Sequence, residues 1–270
     1  MNLTVIVPVH EFDESVKPLF DTALTSLDVQ GKEVDILVVV PESIQDKMQK
    51  HLNEDYKHSK LKIKIISNTG DTDFQSQINL GVENTETKYF SFLEFDDEVD
   101  KKYLQRIDEY VESYDDVDMF LTTVVQFDAE TNKPVGTTNL DIWSKSFVGD
   151  NGRIGFLSEN ILKEYSVFSI NGAAISVDHY KKIGGLKKNI KLSFVYEFLL
   201  RSAQMGSTIF VIPKYIYKHV NGREGSLFST YNDVMSMVER KFWFDTAKRE
   251  SHFTDDRTVE YVETKMEVTD

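Results

Sequence analysis

The chain opens on a continuous apolar run, Leu3-Thr4-Val5-Ile6-Val7-Pro8-Val9, whose β-branched content suits a strand buried on both faces of a parallel sheet. Val16, Leu19, Phe20, Ala23, Leu24 and Leu27 then recur at helical spacing, with Pro18 tolerated in the first turn. The alternation repeats. Residues 34–40 form a second unbroken strand run closed by Pro41, and Ile44, Met48 and Leu52 mark one face of a helix behind it. Residues 61–67 read as a third strand, and Phe74, Ile78 and Val82 as a third helix. The aromatic run Lys88-Tyr89-Phe90-Ser91-Phe92-Leu93 is the fourth strand. Three strand–helix alternations in succession predict an α/β fold with a parallel sheet and right-handed crossovers.

Tyr103, Leu104, Ile107, Tyr110 and Val111 continue the pattern with an amphipathic helix, and residues 117–125 with a strand. Regular alternation then fades. Residues 128–170 are polar and carry Gly136, Gly149, Gly152 and Gly155, which predicts an excursion of loops and short strands. A helix over about 193–204, a strand over 208–212 closed by Pro213, and a long helix over about 230–248 complete the elements. The polar tail after His252 is expected to fray. No internal repeat or low-complexity linker divides the chain. The organisation expected is one domain over 1–225, with halves 1–125 and 126–225, and a helical extension with its tail over 226–270.

At 270 residues and 40% apolar content the chain buries a sizeable core. No apolar run reaches the length of a membrane-spanning helix, and the amino terminus lacks a basic stretch followed by a long apolar one, so a soluble, cytoplasmic protein is expected. The absence of cysteine excludes disulfides, thiolate nucleophiles and cysteine-ligated zinc. The net charge of −14 is uneven: residues 1–130 carry −16, residues 131–250 carry +6 and the last twenty −4. An acidic chain disfavours nucleic acid, because phosphate neutralisation needs a broad basic surface. Lys181, Lys182, Lys187, Lys188 and Lys191 form the local exception. They read as a solvated face, with contact to an anionic acceptor or a membrane surface as the alternative.

The candidate chemistry lies where the fourth strand ends, in the acidic knot Glu94-Phe95-Asp96-Asp97-Glu98. Open α/β sheets bind ligands at the carboxyl ends of their strands. Clustered carboxylates there suit a divalent cation and a phosphate, although a solvated acidic turn has the same composition.

Three stretches in order make the chain resemble the family 2 glycosyltransferases, over roughly residues 2–220. Thr4-Val5-Ile6-Val7-Pro8-Val9-His10-Glu11 resembles the family's V-I-V-P-V-Y-N-E opening. Gln77-Ile78-Asn79-Leu80-Gly81-Val82, followed by Lys88 through Val99, resembles A-R-N-L-G-I followed by G-E-Y-I-x-F-L-D-x-D-D-x-V. Ile183-Gly184-Gly185-Leu186, with Leu192-Ser193 and Leu199-Leu200-Arg201, resembles the G-G-F-D-E segment and the acceptor-side helix after it. The resemblance implies a GT-A fold, Rossmann-like, with a mixed, mostly parallel sheet flanked by helices. It also implies metal-dependent sugar transfer, with inversion, from a nucleotide-diphosphate sugar, by default a UDP-sugar, to a hydroxyl acceptor.

Residue by residue, the resemblance places Pro8, Val9, His10 and Glu11 against the nucleotide base, with a structural histidine as the alternative for His10. Asp96 and Asp97 would hold Mn²⁺ or Mg²⁺ against the diphosphate, and Glu94 stands in the first position of the D-x-D pattern, near the ribose or metal. Glu42 is the substitute for the acidic residue after the second strand. The family's Arg is Ile78 here, so Gln75 or Gln77 would assist recognition. Inverting members carry Glu-Asp at the start of the acceptor-side helix; here Phe194 and Val195 stand there, leaving Glu197 as the candidate base, with an i,i+4 pair to Arg201 as the structural alternative. In the stretch 217–226, read as a mobile loop or a plain surface loop, His219 would complete the metal shell and Arg223 reach the diphosphate. The last helix, with Met235, Met237, Val238, Phe242 and Trp243, suits core packing or a homodimer contact. Two rival readings remain: a catalytically impaired nucleotide-sugar-binding protein on the same fold, and a nucleotidyltransferase, which lacks support from a glycine-rich phosphate loop.

Overall fold

The computed structural model describes residues 2–144, 153–223, 231 and 234–262. The amino-terminal half follows the apolar pattern closely. Strands β1 (Leu3–Pro8), β2 (Asp35–Pro41), β3 (Lys62–Asn68) and β4 (Tyr89–Phe92) alternate with helices α1 (Lys17–Asp28), α2 (Gln45–Asp55) and α3 (Phe74–Glu83). Next come β5 (Glu98–Val99), α4 (Tyr103–Ser113), β6 (Met119–Asp128), β7 (Pro134–Thr138), β8 (Phe156–Leu157) and α5 (Glu159–Glu164). β9 (Ala174–Ser176), α6 (Val177–Lys182), α7 (Phe194–Gln204), β10 (Ile209–Asn221) and α8 (Met237–Glu250) complete the chain.

The strands join one sheet in the order β3-β2-β1-β4-β9-β6-β10-β5, with β7 beside β6 and β8 beside β10. Pairing is parallel from β3 through β4 and between β6 and β10, and antiparallel at β9, β5, β7 and β8. Successive strand residues feed opposite layers, which is why the runs are apolar throughout. Val5 and Val7 of β1 pack under α1, α2 and α4, whereas Ile6 packs against α3. A Cβ at Gly81 of α3 would stand 2.6 Å from Ile6 Cγ2, so glycine sets the close approach of that helix.

Three expectations change. Pro213 does not end the last strand: β10 runs on to Asn221, because register shifts against β6 between Ile212 and Tyr215 form an irregularity that accommodates a residue with no N–H. The stretch 217–221, read as loop, is therefore strand. Of the segment after His252, the described residues 253–262 are tied down through Asp256, whose carboxylate accepts the Lys188 N–H at 2.9 Å, and through Arg257, which pairs with Glu250 at 2.7 Å; residues 263–270 lie outside the described residues. Lys187, read as part of a solvated face, is buried and donates to the carbonyls of Glu250 and Phe253 at 2.6 and 2.7 Å. Gly149, Gly152 and the stretch 224–230 lie outside the described residues.

Candidate functional site

Leu93 N–H donates to the Ile6 carbonyl, which carries β4 alongside β1 to the sheet's carboxyl edge. The chain then turns back sharply, with Asp97 N–H donating to the Glu94 carbonyl at 3.0 Å, and β5 pairs antiparallel with β10. That pairing sets Tyr217 and His219 against the acidic knot, two residues apart on one side of β10. Asp97 is fully buried and accepts hydrogen bonds from Tyr217 Oη at 2.8 Å, Val220 N–H at 2.8 Å and His219 Nδ1 at 3.0 Å. Asn171 Nδ2 donates to Glu94 Oε1 at 2.7 Å. Gly172 lets this segment approach, since its φ is +65° and a Cβ would stand 2.3 Å from Tyr217 Cδ2.

The electrostatics follow from burial of several carboxylates together. Burial, then the charge of Asp97, pushes the Glu94 carboxyl up to about 8. Burial opposes the charge on His219, but the hydrogen bond and charge of Asp97 outweigh it and lift the imidazole to about 9. Asp96 is also raised, by burial and by Asp97, against the opposing Arg223. Arg223 Nε donates to Asp96 Oδ2 at 2.6 Å, and its guanidinium lies over the Phe95 ring, against whose other neighbour, the His10 ring, Phe95 packs edge-on at 5.2 Å.

These groups border a cleft of about 1170 Å³. Pro8, His10, Gln75, Glu94, Asp96, His219 and Arg223 line it. Val9 is buried in the layer beneath, and Asp97 is buried while facing the cluster. Gln75 also has a structural role, donating to the Ile190 carbonyl at 3.0 Å. Besides Val9, two expected donor residues stand outside the lining: Glu11 is exposed beside His10 at 3.4 Å, and Glu42 is exposed in a 3-10 turn after β2.

The group that could hold a metal is not the one expected. One ligand atom each from Glu94, Asp97 and His219 lies within 4.8 Å of the others, whereas Asp96 turns to Arg223 and is not in that group. Two carboxylates and an imidazole fit a hard divalent cation such as Mn²⁺. Asp21, His51 and Asp55 make a second such group between α1 and α2, but Lys17 Nζ already lies 3.3 and 3.2 Å from its carboxylates.

Glu197 is not placed to act as a base. Its carboxylate is fully buried, bonded to Arg201 at 2.7 and 3.0 Å and to Lys187 Nζ at 3.1 Å, and it does not line the cleft. Arg201 also donates to the carbonyls of Ile183 and Gly185. Phe194, Val195 and Tyr196 reach the cleft, whereas Arg201 and Lys187 hold the Glu197 carboxylate in the core. The described carboxylates lining the cleft, Asp71, Asp73, Glu94 and Asp96, all come from the first half of the chain. Asp73 caps α3 by accepting the Ser76 N–H at 2.9 Å, and Asp71 pairs with Lys188 at 2.7 Å.

Sequence reasoning missed Asn171, Tyr217 and Lys187. Two-residue alternation within β10 is the signal that would have joined Tyr217 to His219; nothing local marks Asn171, which reaches Glu94 across 77 positions of sequence.

The sequence profile of glycosyl transferase family 2 matches residues 4–184. No curated protein matches the chain. Among solved structures, S. aureus TarS 1-349 in complex with UDP-GlcNAc is 16% identical with a TM-score of 0.61, covering 85% of this chain and 61% of that one. TarS 1-349 alone is 13% identical with a TM-score of 0.61, covering 93% and 81%, and its complex with UDP is 14% identical with a TM-score of 0.60, covering 94% and 72%. The chain thus spans about three fifths of the length of the first of these. At such identities the likeness is one of fold, the Rossmann-like GT-A arrangement.

Proposed function

The chain belongs to glycosyl transferase family 2, and from that premise we propose that it transfers a sugar from a nucleotide-diphosphate donor, a UDP-sugar by default, to a hydroxyl acceptor with inversion. The observation that carries the reading is the buried acidic cluster at the carboxyl edge of β4, opened to the cleft beside a cationic Arg223. Glu94, Asp97 and His219 would hold a divalent cation, which supplies charge neutralisation for a departing nucleoside diphosphate. Its binding requires His219 and Glu94 to give up their protons. Arg223 is positioned to exchange Asp96 for a diphosphate oxygen, a charge-assisted bond of the same kind. Pro8 and His10 offer an apolar edge and a ring at the donor end of the cleft.

A second reading has its own observation. No described carboxylate from the acceptor side lines the cleft, and Glu197 is locked in the core, so donor binding without efficient transfer is the alternative. A panel of nucleotide sugars with Mn²⁺, read by melting temperature and by release of nucleoside diphosphate, separates the two. Transfer gives release that rises with an acceptor; the alternative gives stabilisation without release; pyrophosphate release would indicate a nucleotidyltransferase. If no donor stabilises the protein, and Asp96→Ala and Asp97→Ala leave this unchanged, the donor site is wrong.

A further inference from the structure

We propose that the acceptor carries its hydroxyl on an apolar body, an aryl or alkyl group, seated on the wall formed by Val167, Phe168, Val195, Tyr196 and Phe244. The inference rests on the glycosyl-transfer reading and specifies the acceptor class of the same site. Every described carboxylate lining the cleft comes from the first half of the chain, and the opposite side sets an apolar patch of Val167, Phe168, Val195, Tyr196 and Phe244 among polar residues such as Lys188, Lys191 and Ser193. Val167 lines the cleft with 60% of its surface exposed, and Val195, Tyr231 and Phe244 are partly exposed beside it. Apolar surface left open inside a cleft is surface a ligand can cover.

The wall is built rather than incidental. Tyr196 and Phe244 stack in parallel at 4.9 Å and 6°, and Tyr165 packs edge-on against Phe168, fixing the segment that presents Val167. A second, independent observation points to a ligand. Tyr196 is 5% exposed, lines the cleft, and its hydroxyl has no hydrogen-bond partner among the described residues. A buried hydroxyl left unpaired is costly, and a bound molecule with an oxygen at that point would relieve it.

The test is calorimetric titration of the full chain, saturated with Mn²⁺ and UDP, using phenyl β-glucoside against methyl β-glucoside. The phenyl compound is expected to bind about tenfold or more tightly, the effect of removing a ring's worth of apolar surface from water. Val167→Ser, at an exposed position that should not disturb folding, is expected to reduce that ratio by about threefold or more, and Tyr196→Phe to weaken both glucosides by about threefold to tenfold. Equal affinity for the two glucosides, or an unchanged ratio in Val167→Ser, overturns the proposal. UDP is titrated separately first: UDP binding with no phenyl preference sinks only the acceptor class, whereas no UDP binding sinks the glycosyl-transfer reading beneath it.

Discussion

Replacing Glu197 by Gln separates a catalytic carboxylate from a structural one. In the fold Glu197 is wholly buried between two buried cations, Arg201 at 2.7 Å and Lys187 at 3.1 Å. Glutamine keeps the shape and one acceptor but removes the only negative charge among the three. Breaking a buried ion pair by neutralising one partner costs about 3–5 kcal/mol, because the surviving cation stays desolvated. The low end applies here, since Arg201 keeps the carbonyls of Ile183 and Gly185, and Lys187 keeps those of Glu250 and Phe253. About 3 kcal/mol in a chain of this size lowers the melting temperature by roughly 6–12 °C. The double variant Glu197→Gln/Lys187→Met restores the charge balance, so its loss should fall well short of the sum of the single losses. The assay pairs urea and thermal unfolding with nucleoside diphosphate release per folded molecule, measured well below the transition. Release should stay within about threefold of wild type. Unchanged melting together with a hundredfold fall in release, the size expected for loss of a general base, would refute the structural assignment.

Three further outcomes follow from the site. Asp97→Asn removes a charge that accepts from Tyr217, Val220 and His219, so it should lower stability by about 2–4 kcal/mol and abolish the rise in melting temperature that Mn²⁺ gives the wild type; a retained Mn²⁺ response would remove Asp97 from the metal set. Gly172→Ala places a methyl 2.3 Å from the Tyr217 ring in a backbone region that disfavours side chains, and should cost about 1–3 kcal/mol and weaken Mn²⁺ binding by displacing Tyr217 from Asp97; isothermal titration with Mn²⁺ checks it, and wild-type affinity would contradict it. Arg223→Ala should weaken UDP binding by about tenfold or more, with a shallower dependence on ionic strength, because it deletes a cation at the proposed diphosphate position; unchanged affinity at low salt would remove Arg223 from the donor site.

The first half of the fold is legible because each of its elements is specified locally. The apolar runs of β1, β2 and β4 are wide enough to be buried on both faces, and α1 to α3 carry stripes of the right period. The acidic knot is legible for a related reason: strand order along the chain puts its end at the sheet's carboxyl edge whatever follows. The second half is not, because its elements are short and hold their places by pairing with strands distant in sequence. β9 has only three residues, and β10 passes through a proline that local rules read as a stop. Hence the sequence by itself determined the parallel first half, the place of the carboxylates and the family. Only the tertiary structure decided which carboxylates act together. Buried pairing with Arg201 and Lys187 holds Glu197 in the core, and the pairing of β5 with β10 carried Tyr217 and His219 to Asp97 across more than 100 positions of sequence, joining Glu94 to that group and leaving Asp96 to Arg223. Such long-range pairings depend on loop closure and burial summed over the whole sheet, which no local window of residues encodes.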